Sequence, residues 1–221
     1  MINTQQLFDP EHSLAAGYVF RFTYPWEALA GLADFIRQLG HSLPSHRFEK
    51  RGEDIWIARS ATVAPTSSIT GPCIIDEEAD IRHCAFIRGS AVVGKGAVVG
   101  NSTELKNVIL FDGVQVPHYN YVGDSILGYK AHMGAGAITS NVKSDKSSVI
   151  IRYGDQRWDT GRKKCGAMVG DCAEIGCNTV LNPGTIVCRD ATVYPVNCVG
   201  GVVPARHIYK NAQTIVMKRS E

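Results

Sequence analysis

A repeat of six residues is the feature of this sequence that most restricts its fold. From Ile57 to Phe111 every sixth residue is large and apolar, and four residues after most of these anchors the side chain is small. The anchors are Ile57, Val63, Ile69, Ile75, Ile81, Ile87, Val93, Val99, Leu105 and Phe111. Neither a helix nor a simple alternating strand keeps this period on one face. The pattern predicts a parallel β-helix, in which three hexapeptides form one coil and the large residues fill the interior.

The repeat is interrupted once and then continues. It resumes in a shifted register at Leu127 and Met133, and it returns in the last third of the chain. The later anchors are Val169, Ile175, Leu181, Val187, Val193 and Val199. The segment 142–166 does not follow the period, so we interpret it as an excursion from the β-helix.

The excursion contains the signals of a hairpin. A short alternating run at 149–152 precedes the turn residues Gly154 and Asp155, and Arg157-Trp158 follow the turn. We therefore expect a hairpin that projects from the coils, where binding residues are often found.

The first fifty residues differ from the rest. Apolar residues at helical spacing predict one amphipathic helix over Pro25–Leu39, with Gly40 as its C-cap, packed on the first coil as a cap. The expected division is an N-terminal helical or capping segment at 1–52, a β-helix domain at 53–205 with its insertion at 142–166, and a C-terminal tail at 206–221.

The composition sets limits on the partners. A net charge of +2 and 20% charged residues give no overall field that favours nucleic acid or a membrane, so an anionic ligand must be held locally. No signal peptide and no run of eighteen apolar residues is found, and we expect a cytoplasmic protein. The seven cysteines form no CxxC pair and no zinc-type spacing, which favours reduced thiols.

One segment resembles a known enzyme family. Cys84 to Asp124 is similar to the acetyltransferase half of the bifunctional glucosamine-1-phosphate acetyltransferase/UDP-N-acetylglucosamine pyrophosphorylase family. The matching functional positions are Arg88, Lys106, His118, Tyr121 and, in the run GAGAITSN, Asn141.

The resemblance extends over roughly residues 50 to 200. The runs DTGRKKCGAMVGD and IGCNTVLNPGTIV look closest to archaeal-type members, which act on sugar 1-phosphates, and TYPWEAL resembles their connector. The repeat and the resemblance together imply a mainly β fold: a left-handed parallel β-helix of hexapeptide repeats with a short N-terminal helical segment. The nucleotidyltransferase domain and its Gly-rich loop are not found, and we expect no pyrophosphorylase activity.

The resemblance also implies an activity, the transfer of an acetyl group from acetyl-CoA to the amine of a hexosamine 1-phosphate. His118 is then the general base, Arg88 and Lys106 bind the phosphate, and Tyr121 and Asn141 bind sugar hydroxyls. From the residues alone, His118 ends a strand after Pro117 equally well. The spacing of Arg88 and Lys106 is 18 residues, which is one coil, and predicts that they stack on neighbouring coils.

The expected cofactor contacts are weaker signals. Lys163 and Lys164 lie in a basic run that can bind the phosphates of acetyl-CoA, although a solvated turn explains that run equally well. Cys177 occupies the position of a serine that lies near the pantetheine arm in the family. The family further implies a homotrimer, with sites in the clefts between chains, and no metal for acetyl transfer.

Two other functions remain open at this point. A γ-type carbonic anhydrase uses three histidines on one metal ion, for which His83, His118 and His132 are candidates. The close histidine pair of that family is missing, because position 123 is glycine. The other alternative is a β-helix with a regulatory or structural role that has lost catalysis. The sequence does not specify the amino sugar or the acyl group.

Overall fold

The computed structural model describes residues 2–219. Its helices are α1 (Thr4–Leu7), α2 (Ala16–Val19) and α3 (Leu32–Ser42), with a 3-10 helix at Pro25–Leu29 before α3. The strands are β1 (Phe48–Gly52), β2 (Ile55–Ala58), β3 (Thr62–Val63), β4 (Ser68–Thr70), β5 (Cys73–Ile75), β6 (Asp80–Ile81), β7 (Phe86–Arg88), β8 (Ala91–Val93), β9 (Val98–Asn101), β10 (Glu104–Leu110), β11 (Gln115–His118), β12 (Tyr121–Leu127), β13 (His132–Met133), β14 (Ile138–Thr139), β15 (Ile150–Tyr153), β16 (Gln156–Asp159), β17 (Met168–Val169), β18 (Glu174–Ile175), β19 (Val180–Leu181), β20 (Ile186–Val187), β21 (Thr192–Val193), β22 (Cys198–Val199), β23 (Val202–Val203), β24 (His207–Asn211) and β25 (Thr214–Met217).

The short strands form the three faces of a left-handed parallel β-helix, which confirms the predicted fold. Face 1 contains β2, β5, β8, the C-terminal part of β10, the C-terminal part of β12, β17, β20 and β23. Face 2 contains β3, β6, β9, β11, β13, β18, β21 and β24. Face 3 contains β4, β7, the N-terminal part of β10, the N-terminal part of β12, β14, β19 and β22.

The interior follows the predicted anchors except at the last of them. Val93 pairs with Leu110, which is 17 rather than 18 residues later, so Leu110 takes the interior position predicted for Phe111. Phe111 is fully buried at the adjacent corner, where its ring stacks on Phe8 at 5.1 Å. The shortened coil explains why the sequence register shifts before Leu127, which pairs directly with Leu110.

Face 1 is buried on its outer side as well. A column of apolar residues in register points away from the interior, and all of its members are buried. The column is Trp56, Ile74, Val92, Ile109, Ile126, Met168, Ile186 and Val202. Helix α3 contacts β5 and β8, the 3-10 helix contacts β12, and β15 contacts β23. The N-terminal segment therefore covers the side of the β-helix, in addition to contacting the first coil where we expected a cap.

The predicted helix over Pro25–Leu39 is divided in two. The Tyr18 hydroxyl donates a 2.7 Å hydrogen bond to the Ala28 carbonyl, and a Cβ on Gly31 would lie 2.9 Å from that hydroxyl oxygen. The inserted tyrosine thus separates the 3-10 helix from α3. Our assignment of Gly40 as the C-cap is wrong: Gly40 lies inside α3, where a Cβ would come within 2.3 Å of the Trp56 ring.

The excursion contains the predicted hairpin, since β15 and β16 pair antiparallel. The buried Ile151 side chain faces Gly184, which fastens the hairpin to a later coil. Residues 206–221, expected as a tail, include β24, which extends face 2, and β25, which folds back on β24. In the described chain, no helix is long and apolar enough to cross a membrane.

Candidate acyltransferase site

A buried carboxylate lies at the centre of the candidate site, at the corner where face 3 meets face 1. Asp124 ends the face 3 part of β12 and is 2% exposed. Its Oδ2 accepts hydrogen bonds from Lys106 Nζ at 3.2 Å and from Asn141 Nδ2 at 2.6 Å. Its Oδ1 accepts one from Asn107 Nδ2 at 2.8 Å. Three neighbouring coils thus supply the groups around this one carboxylate.

The β-helix register explains this convergence. Lys106 pairs with Gly123 on the next coil, so its side chain lies beside the corner at Asp124. Tyr121 pairs with Ile138, which places Asn141 at the same corner one coil further on. Asn141 Nδ2 also donates to the Tyr121 hydroxyl at 3.3 Å. Three of the predicted acceptor residues therefore form one hydrogen-bonded cluster.

Arg88 lies on the same face, one coil before Lys106. The pair Ile87 and Leu105 is in register, so the next residues, Arg88 and Lys106, are neighbours as the 18-residue spacing predicts. Arg88 Nη1 donates to Glu104 Oε1 at 2.8 Å, and about half of the arginine side chain is exposed. The hydrogen bond and charge of Glu104 raise the pKa of Arg88 above its ordinary value. The two candidate phosphate ligands are thus adjacent, and each is paired with a carboxylate.

The electrostatics of the cluster favour a protonated tyrosine. Burial raises the pKa of Tyr121, and the charges of Asp124 and Glu104 raise it further. A neutral phenol can donate one hydrogen bond and accept another, which suits a ligand hydroxyl.

His118 lies at a different corner, where face 2 meets face 3. It ends β11, its side chain is exposed, and residues 2–219 provide no hydrogen-bond partner for its ring. The three residues of face 3 between this corner and Asp124, Tyr121–Gly123, span about 10 Å at the rise of a β-strand. A ligand of the length of a sugar phosphate is needed to reach from one corner to the other.

The expected cofactor residues are found at both corners. Cys177 follows the register pair Met133 and Ile175 and is exposed at the corner of His118. It lies two coils beyond His118, about 10 Å along the axis, with only the small Ala135 between them. Lys163 and Lys164 are exposed where the excursion returns to the Asp124 corner. One chain does not bring Cys177 and the two lysines together.

The three candidate metal ligands are also separated. His83 Nδ1 lies 2.8 Å from the hydroxyl of Thr66, and His132 Nδ1 lies 2.7 Å from a carboxylate oxygen of Glu174. His132 lies in the middle of face 2, whereas His118 lies at its end. Within residues 2–219 no group of three histidine, cysteine or acidic side chains is arranged to hold a metal ion.

Sequence reasoning missed three residues of this site. Asp124 was noted only as the end of a matching motif, and Asn107 and Glu104 were not considered. The signal was present, because a polar residue between buried positions at the end of each short strand marks a corner that faces a neighbouring coil. What the pattern lacked was the one-residue shortening of the coil, which decides which corner residues meet.

Comparison with known proteins places this geometry among sugar-modifying proteins. A family model described as the GMPPB C-terminal domain matches residues 54–153. A protein named bifunctional protein GlmU from Methanococcus maripaludis is 29% identical over 223 residues, which cover 92% of this chain and 50% of that protein. A bifunctional sugar-1-phosphate nucleotidylyltransferase/acetyltransferase from Sulfurisphaera tokodaii is 30% identical over 145 residues, 58% of this chain and 36% of that one.

Among solved structures, PerB from Caulobacter crescentus, in complex with CoA and GDP-perosamine, matches with a TM-score of 0.37 and 19% identity. The match covers 60% of this chain and 52% of that one. The chain spans about half the length of the curated relatives that it matches along 92% of its own length. It is therefore a homologue of the archaeal GlmU-type proteins.

Proposed function

We propose that this chain is an acetyl-CoA-dependent N-acetyltransferase that acts on a hexosamine 1-phosphate such as glucosamine 1-phosphate. The observation that carries the proposal is the cluster of Lys106, Tyr121 and Asn141 around Asp124, next to Arg88. These are the residues that the family resemblance assigns to the sugar phosphate. The relationship to GlmU-type proteins supports the acyltransferase class, and the printed name of the Sulfurisphaera relative joins a sugar 1-phosphate to an acetyltransferase.

In the proposed complex, Arg88 and Lys106 bind the phosphate. Lys106 donates one of its three N–H groups to Asp124 and keeps two for a ligand. The pair between Arg88 and Glu104 is exposed, and exposed pairs contribute little stability. A phosphate can therefore replace Glu104 as the partner of the guanidinium at low cost. Tyr121 and Asn141 then bind hydroxyls of the sugar ring.

His118 acts as the general base in this proposal. An exposed imidazole without a protein partner is able to take the proton of the acceptor amine. The amine lone pair attacks the carbonyl carbon of the thioester, the carbon–sulfur bond breaks, and CoA leaves as a thiolate. The thiolate takes up the proton held by His118, so that no metal is needed to balance the reaction.

Acetyl-CoA is the proposed co-substrate, with Cys177, Lys163 and Lys164 as its contacts. The small residues Ala135 and Cys177 leave room along the corner next to His118 for an extended pantetheine arm. The two lysines lie at the other corner, so a cofactor that touches both sets must lie between two chains. This separation supports the homotrimer that the family resemblance implies.

The test is the release of free CoA from acetyl-CoA in the presence of amino-sugar 1-phosphates. The panel includes glucosamine 1-phosphate and galactosamine 1-phosphate, with glucosamine and N-acetylglucosamine 1-phosphate as controls that lack the phosphate or the free amine. We expect turnover only when both groups are present. Turnover of glucosamine at the same kcat/KM would contradict the phosphate assignment. No turnover of any amino sugar would favour a non-catalytic β-helix.

A further inference from the structure

We infer that Asp124 is the positioning residue of the acceptor site, and that it fixes Lys106 and Asn141 in the arrangement that binds the sugar phosphate. The inference rests on the proposed function. It adds a residue that touches no substrate and acts through two side chains that do.

The contacts of Asp124 carry the inference. Its carboxylate accepts hydrogen bonds from Lys106, Asn107 and Asn141, each from a different strand or corner. A carboxylate that is 2% exposed is costly to bury unless its oxygens are paired, and three donors offset that cost. The Lys106 side chain is 26% exposed, so its ammonium is held on one side and open to a ligand on the other.

The backbone also fixes this carboxylate. Asp124 has a φ of 48°, in the left-handed region that aspartate and asparagine adopt more readily than most residues. Its carbonyl accepts a hydrogen bond from Gly166 N at 2.8 Å, and the Asn141 carbonyl accepts one from Cys165 N at 3.0 Å. Both ends of the excursion 142–166 are thereby held at the acceptor corner.

Asp124→Asn is the variant that separates positioning from folding. Asparagine keeps the size of the side chain and the positive φ. Its amide still accepts from Asn107, and Asn141 can reverse its amide to remain bonded. Lys106 alone loses its partner, since an amide nitrogen at the Oδ2 position faces the ammonium as a second donor. The ammonium is then no longer held beside the phosphate position.

We expect Asp124→Asn to raise the KM for the phosphorylated acceptor at least about tenfold, the effect of a weakened charged hydrogen bond, with the KM for acetyl-CoA changed less than about twofold. The double variant Asp124→Asn/Asn141→Asp returns a carboxylate to the cluster and should recover most of the loss. Asp190→Asn is the matched control, because Asp190 is an exposed corner residue with a φ of 56° that lies away from the site.

A second measurement does not depend on turnover. Reductive methylation followed by peptide mass spectrometry reports the reactivity of Lys106 in each variant. We expect faster methylation of Lys106 in Asp124→Asn, and rates near those of the wild type in the double variant and in Asp190→Asn.

The outcomes distinguish the two ideas. An acceptor-selective loss with rescue supports the positioning role, and an equal loss for both substrates, or no rescue, overturns it. If the wild type acetylates no amino sugar, the proposed function fails. The methylation rates then decide whether Asp124 restrains Lys106: a rate unchanged by Asp124→Asn overturns the inference, and a faster rate supports the restraint.

Discussion

Arg88 and Glu104 form an ion pair across neighbouring coils, with Nη1 2.8 Å from Oε1, in a position where both side chains are substantially exposed. The adjacent cation, Lys106, is paired instead with a carboxylate that is almost fully buried. The two proposed phosphate ligands therefore differ in what their removal leaves behind, although both should contribute to acceptor binding.

Replacing either cation by alanine should raise the KM for the phosphorylated acceptor. The loss of one charged hydrogen bond is expected to cost about 2–3 kcal/mol, or about thirty- to two-hundredfold in KM, with the KM for acetyl-CoA little changed. Steady-state kinetics with each substrate varied in turn measures both. Selective impairment of acetyl-CoA binding in both variants would contradict the assignment.

The same two variants should differ in stability. Lys106→Ala leaves Asp124 buried without its cation, and an unpaired buried charge is strongly destabilising. Arg88→Ala removes an exposed pair of small value. Thermal unfolding should show a clear decrease in Tm for Lys106→Ala and almost none for Arg88→Ala. Equal decreases would argue against the difference in burial as the cause.

His118→Ala should remove activity and leave the fold intact. The removal of a general base lowers kcat by about 10² to 10⁴, whereas the loss of an exposed ring without a protein partner should leave Tm nearly unchanged. Single-turnover assays together with calorimetry check both results. A near-normal kcat would defeat the catalytic assignment, and an unfolded variant would give His118 a structural role.

Gly40→Ala should detach helix α3 from the β-helix. A Cβ at this position would lie 2.3 Å from the Trp56 ring, and overpacking of this kind costs about 1–3 kcal/mol. Gly17→Ala, in α2, is the matched control because a Cβ there meets open space. Denaturant unfolding should show a lower midpoint for Gly40→Ala alone. Equal stability of the two variants would mean that the helix adapts to the added methyl group.

Asp76→Asn should stabilise the protein at neutral pH. Burial raises the pKa of Asp76 from 3.8 to about 6, and the charge of Asp112 adds to the shift. Because the folded state holds this proton more tightly than the unfolded state, Asp76 stabilises the fold below about pH 4. That contribution is lost as the pH rises to about 6.

An amide at position 76 removes the charge that is costly to bury. The Tm of Asp76→Asn relative to the wild type should therefore be higher at pH 8 than at pH 4. Asp155→Asn, at the exposed tip of the hairpin, is the control and should show no such pH-dependent gain. A difference that does not change with pH would contradict burial of the charge as its cause.

The active form should be a homotrimer with a mass about three times the 24.0 kDa of the chain. The reason is that Cys177 and the Lys163-Lys164 pair lie at different corners of one chain, and a shared cofactor requires two chains. Light scattering measures the mass under assay conditions. A stable monomer with full activity would rule out a site between chains.

The sequence alone predicted the β-helix because its signal is periodic. An interior position every six residues can be met only by apolar side chains, so Ile75 and Ile87 announce their burial without knowledge of their neighbours. The hairpin was predicted for the same local reason, since the turn at Gly154 and Asp155 separates two short alternating runs.

The tertiary structure decided which residues meet. A coil of 17 residues replaced Phe111 by Leu110 in the interior, and the same shift brought Asp124 beside Lys106. Gly40 was read as a helix end because the space occupied by Trp56, sixteen residues later, leaves no trace in the local pattern. Periodicity reports burial one residue at a time, whereas contacts across coils depend on the register of the whole stack, and only the folded chain determines that register.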